Sequence, residues 1–424
     1  MTGVHRARTG DARAAEADAP AADRPVAAVP AGRPGAVGAA DGDRPPGQAD
    51  GDRPPGQADG STGAPRAALL SAARDELWKA VDARDEPSAS RGVFGLLDSG
   101  LAAEDVLLEV IAPVQRKVGA EWAAGRITVA QEHAATAIHE RVIAALAHRS
   151  APRTGPSGVT VTVACVEGEW HALPARILAE TLRLRGHAVD YLGAQVPTAH
   201  LIAHLRRTAP DVAALSSSLP TRLPTAHAAI TAVRATGVPV LAGGAAFAPD
   251  GRYARLLGAD AWAADAREAA DVLSRGLPRP GPDAARPAAE DLPHLDDQEY
   301  TVVSRGKRRL VRHTLAGLER RLPAMLSYSE TQRERTAEDL AHIVDFLAAA
   351  LYTDDTTLFT GFLDWTGGIL EARGVPARVL LPGLDLLRQE LRDFPRTLDL
   401  LTQGADTLRG RDPRPTIPGP GTAP

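Results

Sequence analysis

The chain has 424 residues, a net charge of −5 and only 4% aromatic residues, so its cores must be built from Leu, Val, Ile and Ala. It has no long basic run to hold nucleic acid non-specifically, no apolar run long enough to span a bilayer, and no apolar signal-peptide core at its N-terminus. Cys165 is the one cysteine, which excludes an intramolecular disulfide and a cysteine-based zinc or iron–sulfur site; the expected setting is cytoplasmic, with no membrane partner.

Residues 1–65 are rich in Ala, Gly, Pro, Asp and Arg and carry a tandem repeat, Asp41–Ala49 recurring at Asp50–Ala58. Almost nothing there can be buried, so a disordered tail is expected, with a tether or partner-binding arm as the alternative. Residues 66–150 have helical periodicity. Apolar stripes run through Leu69, Leu70, Ala73 and Leu77, through Val93, Leu96 and Leu97, through Val106, Leu107, Val110, Ile111 and Val114, and from Val129 to Leu146. Four antiparallel helices with short connections predict a small bundle, a helical cap. Residues 151–157 read as a linker. From 158 to 276 strand and helix patterns alternate, starting with the β-branched run around residues 159–166 and a helix closed by Gly186. Such alternation predicts an open, Rossmann-like parallel sheet covered on both faces, with ligands outside the carboxyl ends of the strands. A Pro/Ala-rich linker, residues 277–299, leads to an all-helical region, residues 300–410, and a Pro/Gly tail from 411 to 424. The expected fold class is α/β plus all-α.

The turn Gly168-Glu169-Trp170-His171-Ala172-Leu173-Pro174 falls where the first strand ends and a helix begins. A His there points into the crevice, and an acid two residues earlier can orient its imidazole, which suits a ligand to a metal already held in a macrocycle. The turn reads equally well as a polar loop with no ligand.

Further pieces give the chain a resemblance to the adenosylcobalamin photoreceptors related to the carotenoid-gene repressors of bacteria. In that family a Glu-x-His loop supplies the lower axial imidazole. His171 matches the cobalt ligand and Glu169 its acid. Tyr191 and Gly193 after the second strand, Ser216, Ser217 and Leu219 after the third, and Gly243-Gly244 after the fourth match the positions around the buried nucleotide tail. Ser and Gly suit a ligand tail threading beside strands, because they allow close approach and offer hydroxyl donors. In the cap, Trp122 is followed by nine residues and then Glu132-His133. The resemblance implies that Trp122 covers the adenosyl group and that Glu132 and His133 line the upper face. Read without it, Trp122 is a core residue and Glu-His a solvated pair. Two positions depart from the family: Pro174 stands where Gly is common, and Ala123 stands where a His captures cobalt after light. His133, His139 or water would take that role.

The family's N-terminal helix-turn-helix module has no counterpart in residues 1–65, so no direct DNA binding is expected. The C-terminal helices resemble globin-related sensory domains. Their His residues, His294, His313 and His342, include none late enough for a haem of the usual globin kind. A cobalamin module followed by a globin-like module resembles the photocobilins, which implies biliverdin as a second cofactor. Arg335, Asp339 and His342 share one helical face suited to a bilin, or form a solvated, salt-bridged face. Without a cysteine there, a thioether-linked bilin is excluded.

The expectation is therefore a light sensor, not an enzyme, that binds adenosylcobalamin through cobalt. Co–C photolysis would shift the cap and a light-dependent homo-oligomeric state or a downstream protein contact. The alternatives are a corrinoid shuttle for methyl transfer and a cobalamin sensor without photochemistry. A mutase would need a substrate barrel for which no residues remain.

Overall fold

The computed structural model describes residues 63–150, 158–281 and 292–411. The expected N-terminal tail up to residue 62, the linker at 151–157, residues 282–291 of the second linker and the Pro/Gly tail from 412 lie outside the described residues.

The first region is four helices: α1 (Gly63–Asp82), α2 (Glu86–Asp98), α3 (Ala112–Ala123) and α4 (Val129–Arg149). A π-helical stretch, Val106–Ile111, runs directly into α3 and buries Val106, Leu107, Val110 and Ile111. The caps explain where the helices start. Asp85 accepts from the Ser88 N–H ahead of α2, and Thr128 forms a reciprocal capping box with Gln131 ahead of α4. The apolar stripes of all four meet in one core.

The second region is a five-stranded parallel sheet in the order β2-β1-β3-β4-β5. The strands are β1 (Thr160–Cys165), β2 (Ala188–Gly193), β3 (Val212–Ser216), β4 (Val240–Gly243) and β5 (Ala261–Ala263). Between them lie α5 (Leu173–Leu184), α6 (Thr198–Thr208), α7 (Leu223–Arg234) and α8 (Arg252–Leu256), and α9 (Ala266–Arg275) follows β5. Strand order reverses between β1 and β3, so the loops leaving those two strands part from each other and open a crevice. Residues on β1 and β3 are buried on both faces, as expected of a doubly covered sheet.

Leu173 and Ile177 of α5 belong to the core of the four-helix region, which fixes the cap over the sheet's carboxyl edge. Arg267 on α9 adds a charged clamp, reaching Glu104, Asp105 and Glu109 at 3.2, 2.7 and 2.6 Å.

The third region comprises α10 (Glu299–Arg321), α11 (Glu330–Thr353), α12 (Thr356–Ala372), α13 (Leu381–Glu390) and α14 (Pro395–Arg409). Sequence periodicity places the first of these near 306–322; the helix begins earlier, because Asp297 accepts from the Glu299 N–H and opens it. Buried Glu299 then caps α14, accepting from the Arg396 and Thr397 N–H groups at 3.0 and 2.7 Å. This bundle shares one continuous core with the β3/β4 side of the sheet. At the junction Tyr352 Oη meets His227 Nδ1 at 2.9 Å, and Tyr253 Oη donates to Asp355 at 2.7 Å.

Candidate functional site

The loop leaving β1 is built around a buried carboxylate. Glu169 has no exposed surface. One oxygen, Oε1, accepts from the His171 backbone N–H at 2.9 Å and from His171 Nδ1 at 2.6 Å. The other, Oε2, accepts from Ser217 Oγ at 3.3 Å and from the Ser218 and Leu219 N–H groups at 2.7 and 3.1 Å. Burial pushes the Glu169 carboxyl up, but the hydrogen bonds from the His171 ring, the His171 N–H and the Ser218 N–H outweigh it and hold it down at about 2. An ionised carboxylate only accepts, so His171 Nδ1 must carry a hydrogen, and Nε2 is left facing away from the carboxylate. No protein group among the described residues bonds Nε2, and the ring is partly exposed. This is the arrangement of an imidazole metal ligand whose tautomer is set from behind by an acid.

The other strand-end motifs converge on the same loop. Ser216 pairs with Gly243 across β3 and β4, and the Ser217 N–H donates to the Gly243 carbonyl at 3.1 Å. Gly244 has φ +100°, and a Cβ there would lie 2.3 Å from the Ser217 carbonyl oxygen, so only glycine fits. Gly193 ends β2 at φ +81° with open space where a Cβ would stand. Tyr191 donates from Oη to the Ala172 carbonyl at 3.3 Å and lies under the Arg176 guanidinium. Four motifs separated in sequence thus form one wall of the β1/β3 crevice. Ser218, whose N–H is the shortest backbone donor to Glu169, belongs to the same Ser-Ser-Ser run as Ser216 and Ser217. Cys165 at the base of this wall is buried, and burial followed by the Glu169 charge pushes its thiol up to about 12, so it stays protonated.

The cap residues are placed differently. Trp122 ends α3 and is only 2% exposed. Its ring is covered from the C-terminal bundle: the Trp365 ring lies 6.3 Å away at 34°, and the Arg373 guanidinium sits 5.4 Å from its centroid. Arg373 also donates to the Trp122 and Ala123 carbonyls at 3.0 and 3.3 Å, closing the end of α3. Neither Trp365 nor Arg373 was singled out by sequence reading, since nothing local marks a contact that spans 251 residues. Glu132 and His133 bond each other, and the His133 side chain is 68% exposed. A polar chain leads inward from Glu132: Thr136 donates to it at 3.0 Å, Gln115 donates to Thr136 at 2.7 Å, and His139 Nδ1 meets Gln115 Oε1 at 2.6 Å. His139 is fully enclosed, and burial pulls it down to about 4, so it is neutral.

Arg335, Asp339 and His342 lie along α11, with Asp339 and His342 half-buried. Burial, with help from Glu338, pushes the Asp339 carboxyl up to about 7. Burial also pulls His342 below its ordinary value. Among the described residues no group of His, Cys, Asp and Glu is arranged to hold a metal ion. No helix among the described residues is long and apolar enough to cross a membrane.

Residues 159–273 match the B12 binding domain family, and residues 73–147 match a second B12 binding domain family. The HTH-type transcriptional repressor CarH of Myxococcus xanthus is 33% identical over 181 residues, covering 41% of this chain and 58% of that protein. The repressor CarA of the same organism is 29% identical over 146 residues, covering 34% and 47%. The chain spans about half the length of the curated relatives it matches. Among solved structures, the monomethylamine corrinoid protein of Methanosarcina barkeri is 19% identical with a TM-score of 0.43, covering 47% of this chain and 96% of that one. A cobalamin-binding protein of Desulfitobacterium hafniense DCB-2 is 21% identical with a TM-score of 0.28, covering 49% and 97%.

One expectation is corrected. The sequence reading excluded direct DNA binding because no helix-turn-helix pattern stands in residues 1–65; both curated relatives are HTH-type repressors, which overturns that exclusion. Residues 1–62 lie outside the described residues, so the structure lends that exclusion no support. The two family matches show that this chain carries a two-part B12-binding module, with cobalamin as its cofactor class.

Proposed function

We propose that this chain is a cobalamin-dependent regulator that takes adenosylcobalamin and responds to light. The observation that carries the reading is His171, tautomer-fixed by an ionised, buried Glu169 and presenting Nε2 at the β1/β3 crevice. His171 would hold cobalt from below. Ser216, Ser217, Leu219, Gly243 and Gly244 would line the path of the nucleotide tail, with Gly244 allowing backbone contact that any side chain would block. Trp122, Glu132 and His133 would bound the upper face. Bound adenosylcobalamin supplies a light-labile cobalt–carbon bond. The protein's part is to hold the lower face fixed, so that any change above is felt by α3 and, through Trp122, by Trp365 and Arg373. The output would be a change in homo-oligomeric state or in a contact with a regulatory partner, as befits relatives that are transcriptional repressors.

The test is reconstitution with adenosylcobalamin in the dark, followed by absorption spectra and size-exclusion chromatography before and after green light. A cobalamin spectrum that changes irreversibly, with a shift in elution, is expected. A stable spectrum would favour a cobalamin sensor without photochemistry, and methyl exchange with a corrinoid methyltransferase would favour the shuttle alternative.

A second reading concerns the C-terminal helices as a globin-like sensory domain that takes biliverdin without a covalent link. It is favoured by the half-buried Asp339, whose raised carboxyl stands beside His342 on α11 as an acceptor suited to pyrrole N–H groups. Co-expression with a biliverdin source should give red absorbance that denaturant releases; a colourless protein would leave these helices as a docking or dimerisation module.

A further inference from the structure

We infer that Arg222 is the cation that pairs with the phosphodiester of the cobalamin nucleotide tail, an inference that rests on the cobalamin reading above. Arg222 ends a 3-10 turn, Pro220–Arg222, directly after the Ser217–Leu219 segment that grips Glu169. Its side chain crosses back over the β1 loop. A Cβ built on Gly168 would lie 2.9 Å from Arg222 Nη1 and 3.1 Å from its Cζ, so the guanidinium occupies the space this glycine leaves open, three residues ahead of His171. The contact joins the two loops that part at the β1/β3 reversal.

Arg222 is also unsatisfied. Its Nε is buried with no hydrogen-bond partner, and its guanidinium makes no ion pair among the described residues. Most other arginines near the module are engaged: Arg176 and Arg183 with Glu180, Arg185 with Glu104, Arg234 with Asp260, Arg267 with three acids. A guanidinium is charged at every relevant pH, and a buried N–H of a charged group left without an acceptor is costly. An anion in the crevice removes that cost. The nucleotide tail carries such an anion, a single negative charge on a phosphodiester. If His171 takes the lower cobalt position, the tail's own base is displaced and must lie in the same crevice, bringing its phosphate with it. The planar fork of Arg222 fits two phosphate oxygens, and the acids flanking Gly168, Glu167 and Glu169, are already occupied by Thr198 and by His171 with Ser218.

The experiment measures binding of hydroxocobalamin, cobinamide phosphate and cobinamide to the full chain and to Arg222→Ala and Arg222→Lys. In the wild type the phosphate should tighten cobinamide binding by about tenfold, with the gain shrinking as salt rises. R222A should lose that gain while binding cobinamide unchanged, which also reports an intact fold, and R222K should keep part of it. An R222A variant that weakens all three ligands equally would make Arg222 a packing residue and overturn the inference. So would one that keeps the phosphate gain. A wild-type chain that binds no corrinoid would instead overturn the cobalamin reading itself, and this inference with it.

Discussion

The two proposed faces of the B12-binding module, the lower at Glu169 and His171 and the upper at Trp122, are built on opposite plans. The lower face is complete within one fold: five hydrogen bonds from two loops converge on the Glu169 carboxylate, and all the donors come from residues 169–219. The upper face is assembled from two regions far apart in sequence. Trp122 comes from the cap, and its cover, Trp365 and Arg373, comes from the C-terminal bundle. The contrast teaches where movement can occur. Displacing His171 would leave a buried carboxylate without its strongest donors, whereas displacing the cap from Trp365 breaks an aromatic contact and the bonds of the half-buried Arg373. A signal generated at the centre should therefore travel upward, through α3 into α12, and not downward into the sheet.

The sharpest way to break the comparison is at the lower face. His171→Ala should lose roughly a hundredfold or more in cobalamin affinity and all spectral signs of imidazole coordination. Unchanged affinity and spectra would remove His171 from the site. Glu169→Gln comes next, with an expected loss on the order of ten- to a hundredfold, because the amide no longer fixes the Nδ1–H tautomer. It also has a signature in the absence of ligand. The carboxyl falls from an ordinary 4.5 to about 2 in the folded chain, so its contribution to stability is fully present above pH 4.5 and lost as pH falls toward 2. At ~1.4 kcal/mol per unit that contribution is about 3 kcal/mol. Acid denaturation of the Gln variant should be correspondingly flatter between those pH values. Parallel curves for the two proteins would show that Glu169 is not the anchor described.

The upper face should give smaller and more selective effects. Trp365→Ala and Arg373→Ala should each cost about 1–2 kcal/mol of stability by chemical denaturation. Both should leave hydroxocobalamin affinity near wild type while altering selection of the adenosyl form and the light-driven change in elution. Trp122→Ala should show the same selectivity with a larger stability loss, since its ring is a core element of the junction. If all three variants lose both cobalamin forms equally, the upper face is ordinary packing and the contrast between the faces fails.

How much of this could be read beforehand follows the same division. The lower site is legible because each of its parts is local: a Glu-x-His turn after a β-branched run, Ser-Ser-Ser after the third, Gly-Gly after the fourth. Parallel β-α topology then brings the ends of β1, β3 and β4 together without further information. The helices of the cap and the C-terminal bundle are legible from period and caps, although α10 starts earlier than its apolar stripe suggests, because Glu299 turns inward to cap α14 and extends the helix backward. The Trp122 cover, the Arg222 crossing and the shared core of sheet and bundle are not legible. Each depends on how pre-formed regions dock, and no spacing rule connects Trp122 to Arg373 or Gly168 to Arg222.

The smallest expected effect lies farthest from the module, at Asp339. Its carboxyl stands half-buried on α11, raised by burial and by neighbouring Glu338 to about 7 from an ordinary 3.8. The sign is opposite to that of Glu169. Between those values the folded chain holds a proton that the unfolded chain has released, so stability falls as pH rises from about 4 to about 7 and levels off above that. Partial exposure keeps the slope below the limiting ~1.4 kcal/mol per pH unit. Asp339→Asn should therefore match the wild type near pH 4 and exceed it in melting temperature near pH 8. A cofactor that donates N–H groups to this carboxylate would satisfy the ionised form and abolish the wild type's loss at high pH. Melting curves of the wild type at pH 5, 7 and 8, with and without biliverdin, separate the cases. A pH dependence that biliverdin erases in the wild type, and that is absent in the Asn variant, ties Asp339 to the ligand. One that biliverdin leaves untouched makes Asp339 a strained surface carboxyl of a docking bundle.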